Sequence, residues 1–254
     1  MISHISCVII VKDAQNTIAD VLNALKPFND IVLYINNSTD KTKDIAKKYK
    51  NVTIIDGIFN GFGITKNEAS KYTKNSWILS LDADEVISEE FIQNLKKIDL
   101  DKNNLYTIDR TNYYKKTPIK HCWGNDIIVR IYNKDITNFT DTKVHEKIIK
   151  KNLNIIHIKG EVKHYPYSNI SDFIIKLDRY STIFAQDNVG KKSSSPLKAI
   201  LNAYFSFFKT YFLKKGFLDG YAGLIIAFSH MATNFYKYMK LYELNRELSK
   251  NIKK

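Results

Sequence analysis

Four short apolar, β-branched runs occupy the first third of this chain, each followed by a turn or by a segment with helical spacing. Cys7 to Val11, Ile31 to Ile35, Val52 to Asp56 and Trp77 to Leu81 read as strands. Between them, Asn16 to Leu25 places Ile18, Val21, Leu22 and Leu25 on one helix face. Lys41 to Tyr49 follows the N-cap residues Ser38, Thr39 and Asp40, and Thr65 to Tyr72 follows a loop from Gly57 to Gly63. Strands alternating with helices at this spacing need crossover connections, hence a parallel, helix-covered sheet. Ligands of such sheets bind beyond the carboxyl ends of the strands.

The fourth run ends in acids, Trp77-Ile78-Leu79-Ser80-Leu81-Asp82-Ala83-Asp84-Glu85. In extended backbone residues i and i+2 point the same way, so Asp82 and Asp84 are expected to project together. Paired carboxylates, with water and substrate phosphate completing the coordination sphere, suit Mg²⁺ or Mn²⁺. A solvated acidic turn is the plain alternative; the position at the end of a parallel strand favours the metal.

Composition narrows the rest. At 254 residues and 44% hydrophobic, the chain can bury one α/β core with a helical extension. Cys7 and Cys122 lie far apart without metal-ligand spacing and are expected to be reduced and partly buried, as in a cytosolic protein. The N-terminal apolar run is five residues long and broken by Lys12 and Asp13, and is expected to be a strand and not a signal peptide. No Gly-x-Ser-x-Gly, Walker loop or Gly-x-Gly-x-x-Gly occurs, so hydrolase, NTPase and dehydrogenase readings have no support.

The net charge of +13 is concentrated at one end. From Lys191 to Lys254 there are twelve Lys or Arg against three acids, a balance of +9, interleaved with aromatics from Tyr204 to Tyr242. Such helices suit the interface of an anionic membrane. The alternative is a helical pair packing its aromatic stripe on the catalytic domain. No nucleic-acid-binding motif is present, and no nucleic-acid partner is expected. The polar run Gly190 to Pro196 reads as a flexible joint, dividing a domain over 1–190 from a basic extension over 191–254.

"CVIIVKDAQNTIADVLNAL", "NNSTDKTKDIAKKY", "GFGITKNEAS" and "WILSLDADEVIS", in that order, resemble the N-terminal half of family 2 glycosyltransferases of the GT-A fold. "VRIYNK", "VHEKI", "KHYPYSNISDFIIKLDRYS" and "GFLDG" resemble more narrowly the bacterial lipopolysaccharide-core enzymes that add a β-glucose to inner-core heptose. The resemblance implies a GT-A-like mixed sheet flanked by helices, with a C-terminal basic helical extension. It further implies a UDP-glucose donor, a lipid-linked saccharide acceptor, a divalent metal, and a place on the cytoplasmic face of the inner membrane.

Residue by residue, Asp84 would be the main metal ligand and Asp82 would support metal or ribose. Val11 and Asp13, ending the first strand, would lie near the nucleoside; a turn-capping role for Asp13 is equally open. The family's nucleobase-reading Asp is replaced by Ile35, which leaves Asn36 and Asn37 to supply amide hydrogen bonds. Lys66, after the glycine loop, would meet donor phosphate, or else be a solvated helix-start lysine. Glu146 would be the base that deprotonates the acceptor hydroxyl, with His145 and Arg130 on the acceptor side. His164 is a candidate third metal ligand, or a packing residue. Two other readings stay open: a sugar-nucleotide nucleotidyltransferase, which would want glycines in the turn Lys12 to Asn16, and a non-catalytic membrane-binding protein on a glycosyltransferase scaffold.

Overall fold

In a computed structural model, which describes residues 1–142 and 146–252, β1 (Ile5–Val11) and β2 (Ile31–Asn36) are buried along their whole lengths. Continuous apolar runs are what strands covered on both faces require. β1 pairs in parallel with β2 on one side and with β4 (Trp77–Asp82) on the other, and β3 (Val52–Gly57) adds in parallel to β2. The chain thus steps outward from β1 to β3 and returns to the opposite side of β1, placing a topological switch point between β1 and β4.

The connecting helices are α1 (Ile18–Ala24), α2 (Thr42–Ala46) and α3 (Phe62–Ser70). α3 starts three residues earlier than its periodicity suggests, because Gly61 and Gly63 belong to its entry and not to an extended loop. The N-cap position of α2 falls on Lys41, which makes no side-chain cap; of the residues expected there, Asp40 accepts from the backbone N–H of Thr42 at 3.0 Å and of Gln15 at 2.9 Å.

After β4 the sheet changes character. β5 (Glu85–Ile87), α4 (Glu89–Leu95), β6 (Asn104–Tyr114), the two-residue β7 (Thr117–Pro118), β8 (Asn125–Asn133) and β9 (Asn154–Tyr167) follow. β8 runs antiparallel to β4 and β6, and β5 antiparallel to β9, giving the order β3-β2-β1-β4-β8-β6-β9-β5 with β7 on β6. This is the mixed, helix-flanked sheet that the resemblance implies. β8 pairs with β4 over Trp77–Leu79 only, so side chains can gather around the acidic end of β4.

The chain forms two compact units, the first comprising Met1–Thr111 with Asn125–Tyr165, the second Asn112–Gly124 with the chain from Pro166 onward. The division falls at 165/166 and takes in the 112–124 segment, which the composition-based boundary at 190 did not foresee. In the second unit α5 (Ile170–Asn188) opens with an Asn169/Asp172 capping box. α6 (Pro196–Phe208), a π-helical turn (Lys209–Leu213), a 3₁₀ turn (Gly216–Asp219) and α7 (Gly220–Ile252) follow, with α5 and α6 packed on α7. The Asp219 carboxylate gathers the backbone N–H groups of Lys120, His121 and Cys122, tying the 112–124 segment to the start of α7. The expected joint is a hydrogen-bonded turn: Gly190 N–H donates to Asn245 and the Ser194 hydroxyl to the Tyr238 carbonyl. Both cysteines are free and buried, and no described helix is long and apolar enough to cross a membrane.

Candidate active site

Acidic and basic residues from α3, β4, β6, β8 and β9 assemble at the acidic end of β4, all within the first unit. Asp82 ends the strand, and its two carboxylate oxygens are taken separately. Lys66 Nζ of α3 lies 3.0 Å from Oδ1, and Arg130 Nη2 of β8 donates to Oδ2 at 2.7 Å. The same Arg130 nitrogen donates to Glu85 Oε1, while Glu85 Oε2 accepts the Asp82 backbone N–H at 3.0 Å. Arg110 of β6 joins Glu85 to Asp126, at 3.3 and 2.8 Å. Glu85 is wholly buried, and a buried carboxylate persists only when paired and hydrogen-bonded in this way. Desolvation opposes ionisation of Asp82, but the charges of Arg130 and Lys66 outweigh it and hold its carboxyl far below the usual carboxylate range. Arg130 is likewise desolvated, and Asp82 and Glu85 more than compensate, raising its pKa.

Lys66 also donates to Glu146 Oε1 at 2.8 Å, 80 residues further along the chain, so one ammonium, itself 1% exposed, bridges Asp82 and Glu146. This overturns the solvated reading of Lys66: its ammonium is buried between two carboxylates. The local sequence explains how Glu146 is brought there. Asn67 donates to the Phe139 carbonyl and accepts from the Phe139 N–H, both at 2.9 Å, and so clamps the segment that carries Glu146. A Cβ on Gly63 would sit 1.9 Å from the Thr140 carbonyl oxygen and 3.2 Å from Glu146 Cβ, so only glycine lets α3 approach this closely. Phe139 bridges Ile148, and Thr140 N–H donates to the Lys147 carbonyl beside Glu146. His145 lies outside the described residues.

Asp84 is placed differently from the expectation. β4 stops at Asp82, and Ala83 and Asp84 form a turn, so alternation no longer aligns the two acids. Asp84 instead faces His164 of β9, with Nε2 3.5 Å from Oδ2. The cause is strand pairing: β5 sets Glu85 opposite His164, and the Tyr165 N–H donates to the Asp84 carbonyl at 2.9 Å. Among the described residues no three His, Cys, Asp or Glu converge as a metal-binding group, so the expected set of Asp82, Asp84 and His164 is not assembled. Asp82 is withdrawn from it by its two cations. The carboxylate and imidazole that remain fit a divalent ion that draws its other ligands from water and diphosphate oxygens.

At the ends of β1 and β2, Val11 and Ile35 are buried side by side in the core, so Ile35 presents no polar group there. Asn36 is also buried, and its Oδ1 has no partner among the described residues. A buried amide oxygen left unpaired is costly. Asn37 is exposed, with a left-handed φ of 47°. Asp13, also left-handed at 50°, accepts from the Thr39 N–H at 2.7 Å, while its own N–H donates to Ser38. It braces the loops after β1 and β2 against each other. Glu85, Arg110 and Asp126 were not singled out in the sequence; the acid directly after Asp-x-Asp was the available signal for Glu85, whereas Arg110 and Asp126 carry none.

The chain is 28% identical to an uncharacterized glycosyltransferase of Rickettsia typhi, over 98% of this chain and 89% of that protein. A second relative, from Rickettsia prowazekii, is 27% identical over 95% and 87%. A 98-residue stretch, 34% of this chain and 16% of its relative, is 35% identical to a poly(ribitol-phosphate) beta-glucosyltransferase of Bacillus spizizenii. Among solved structures, Staphylococcus aureus TarS 1-349 in complex with UDP-GlcNAc is 14% identical with a TM-score of 0.48, covering 98% of this chain and 91% of that one. The family model described as "Glycosyl transferase family 2" matches residues 6–158, more than half of the chain and a span that holds Lys66, Asp82, Asp84, Arg130 and Glu146. The chain belongs to glycosyl transferase family 2.

Proposed function

We propose that this glycosyltransferase is metal-dependent and inverting, and that it moves glucose from UDP-glucose onto a sugar of a lipid-linked bacterial glycan such as the lipopolysaccharide inner core. The observation that carries the reading is the split of the acids into two groups, Asp84 with His164 and Glu146 with Lys66. Asp84 and His164 would hold Mg²⁺ or Mn²⁺, whose chemistry is to neutralise charge on the departing diphosphate. Glu146 supplies the base. Lys66 holds Oε1, and Oε2 takes the proton of the acceptor hydroxyl as that oxygen attacks the anomeric carbon from the face opposite the diphosphate. Asp82, kept ionised by Arg130 and Lys66, is an acceptor for ribose hydroxyls. The unpaired Asn36 Oδ1 suits a nucleobase ring N–H, such as N3–H of uracil, and stands in for the missing Asp.

The name of the Bacillus spizizenii relative is in keeping with glucose as the sugar. The test is a donor panel: UDP-, GDP- and TDP-sugars with Mn²⁺, following nucleotide release. Release confined to UDP-glucose is expected; activity confined to a guanine or thymine nucleotide overturns the donor assignment. Equal release after chelation of all divalent metal overturns the metal.

A further inference from the structure

The second unit contains a helix that is built inside out. On α6, Ala199 and Ala203 are buried at 0% and 2%, and Thr210 in the π-helical turn beyond it is buried as well. Leu197, Leu201, Tyr204, Phe205 and Phe208 are 66%, 59%, 63%, 61% and 50% exposed. At 100° per residue these five share a stripe about 100° wide, opposite the alanines. A helix that packs in a water-soluble core does the reverse, turning its large apolar residues inward. The stripe continues through Phe212, Leu213, Phe217 and Leu218, and onto Tyr221, Leu224 and Phe228 at i, i+3 and i+7 of α7, all exposed. A contiguous surface of this kind marks an interaction site.

Charge says what covers it. The segment 191–218 carries six lysines, Lys191, Lys192, Lys198, Lys209, Lys214 and Lys215, and no acid. An apolar stripe of leucine and aromatic side chains among lysines matches an anionic lipid surface, where rings sit at the headgroup level and ammonium groups meet phosphate. With no described helix able to cross a bilayer, the contact is lateral. We infer that the outer face of α6, the turns after it and the start of α7 form a monotopic docking surface for an anionic bilayer. The inference does not depend on the transfer reaction, because its test reads binding and not turnover.

The experiment is co-sedimentation of the full chain with vesicles of phosphatidylcholine alone or enriched in phosphatidylglycerol, at low and high salt. Wild type should bind the anionic vesicles, and less so as salt rises. Leu201→Ser with Phe205→Ser should lower partitioning about thirty-fold, from the apolar area these half-exposed side chains would bury. Lys209→Gln with Lys215→Gln should lower it about five-fold per lysine on anionic vesicles. Circular dichroism and size exclusion accompany each variant. Two results overturn the inference: partitioning unchanged in a folded apolar variant, or a wild-type dimer that the apolar variant converts to monomer, which would make a second copy the occupant.

Discussion

Replacing Glu146 with Gln isolates the proposed base from everything else the site does. The amide introduced by Glu146→Gln keeps an oxygen where Lys66 Nζ now lies 2.8 Å from Glu146 Oε1, so the bridge to α3 survives as a hydrogen bond to a neutral acceptor. Lys66 retains Asp82 at 3.0 Å as its charged partner, and no buried cation is left uncompensated. The stability cost is therefore the difference between a carboxylate and an amide as acceptor, about 1 kcal/mol. Catalysis should suffer much more. A positioned general base contributes about 10² to 10⁴ in rate, which is about 2.7 to 5.5 kcal/mol of barrier. Donor and metal binding, which the proposal assigns to Asp84 and His164, should persist. The assay pairs nucleotide release at saturating donor with calorimetric donor titration and urea unfolding. Turnover within a few-fold of wild type, with donor bound normally, would refute the role of Glu146 and move the search to the nearby acid Asp141, five residues earlier in the chain. A stability loss well above about 1 kcal/mol would show that Glu146 is chiefly a counter-ion for Lys66.

Asp84→Asn should weaken Mn²⁺-dependent donor binding at least about ten-fold, and His164→Ala by a similar factor, in calorimetric titrations; an unchanged metal dependence in both would remove this pair from the metal site. Gly63→Ala should destabilise the fold by about 1 to 3 kcal/mol or more, because its Cβ would sit 1.9 Å from the Thr140 carbonyl oxygen; an unchanged urea midpoint would contradict that packing. Asp82 is held far below its unfolded value by Arg130 and Lys66, so its contribution is present above about pH 4 and is lost as pH falls toward the folded value. Asp82→Asn should accordingly flatten stability against pH below about pH 4, and an identical acid limb in wild type and variant would refute the charge pairing.

The parallel half of the fold was open to reading from the sequence because its causes are local. Continuous apolar runs such as Ile5–Val11, with turn residues between them, report burial on two faces regardless of what covers them. Lys66, Asn67 and Gly63 were noticeable for the same reason, as a glycine-containing turn into a helix. Their partners were not, since a cation that bridges Asp82 to Glu146 and a glycine that admits the Thr140 carbonyl depend on a segment arriving from far along the chain. The pairing of Asp82 with Asp84 failed where extended backbone gave way to a turn, and β5–β9 pairing, invisible to periodicity, chose His164 as the neighbour of Asp84. In the tail, composition revealed basic and aromatic helices, but which face each residue takes is a matter of packing. Ala199 and Ala203 turn inward because small side chains let α6 lie close against α7, and that closeness leaves Leu201, Phe205 and Phe208 facing out.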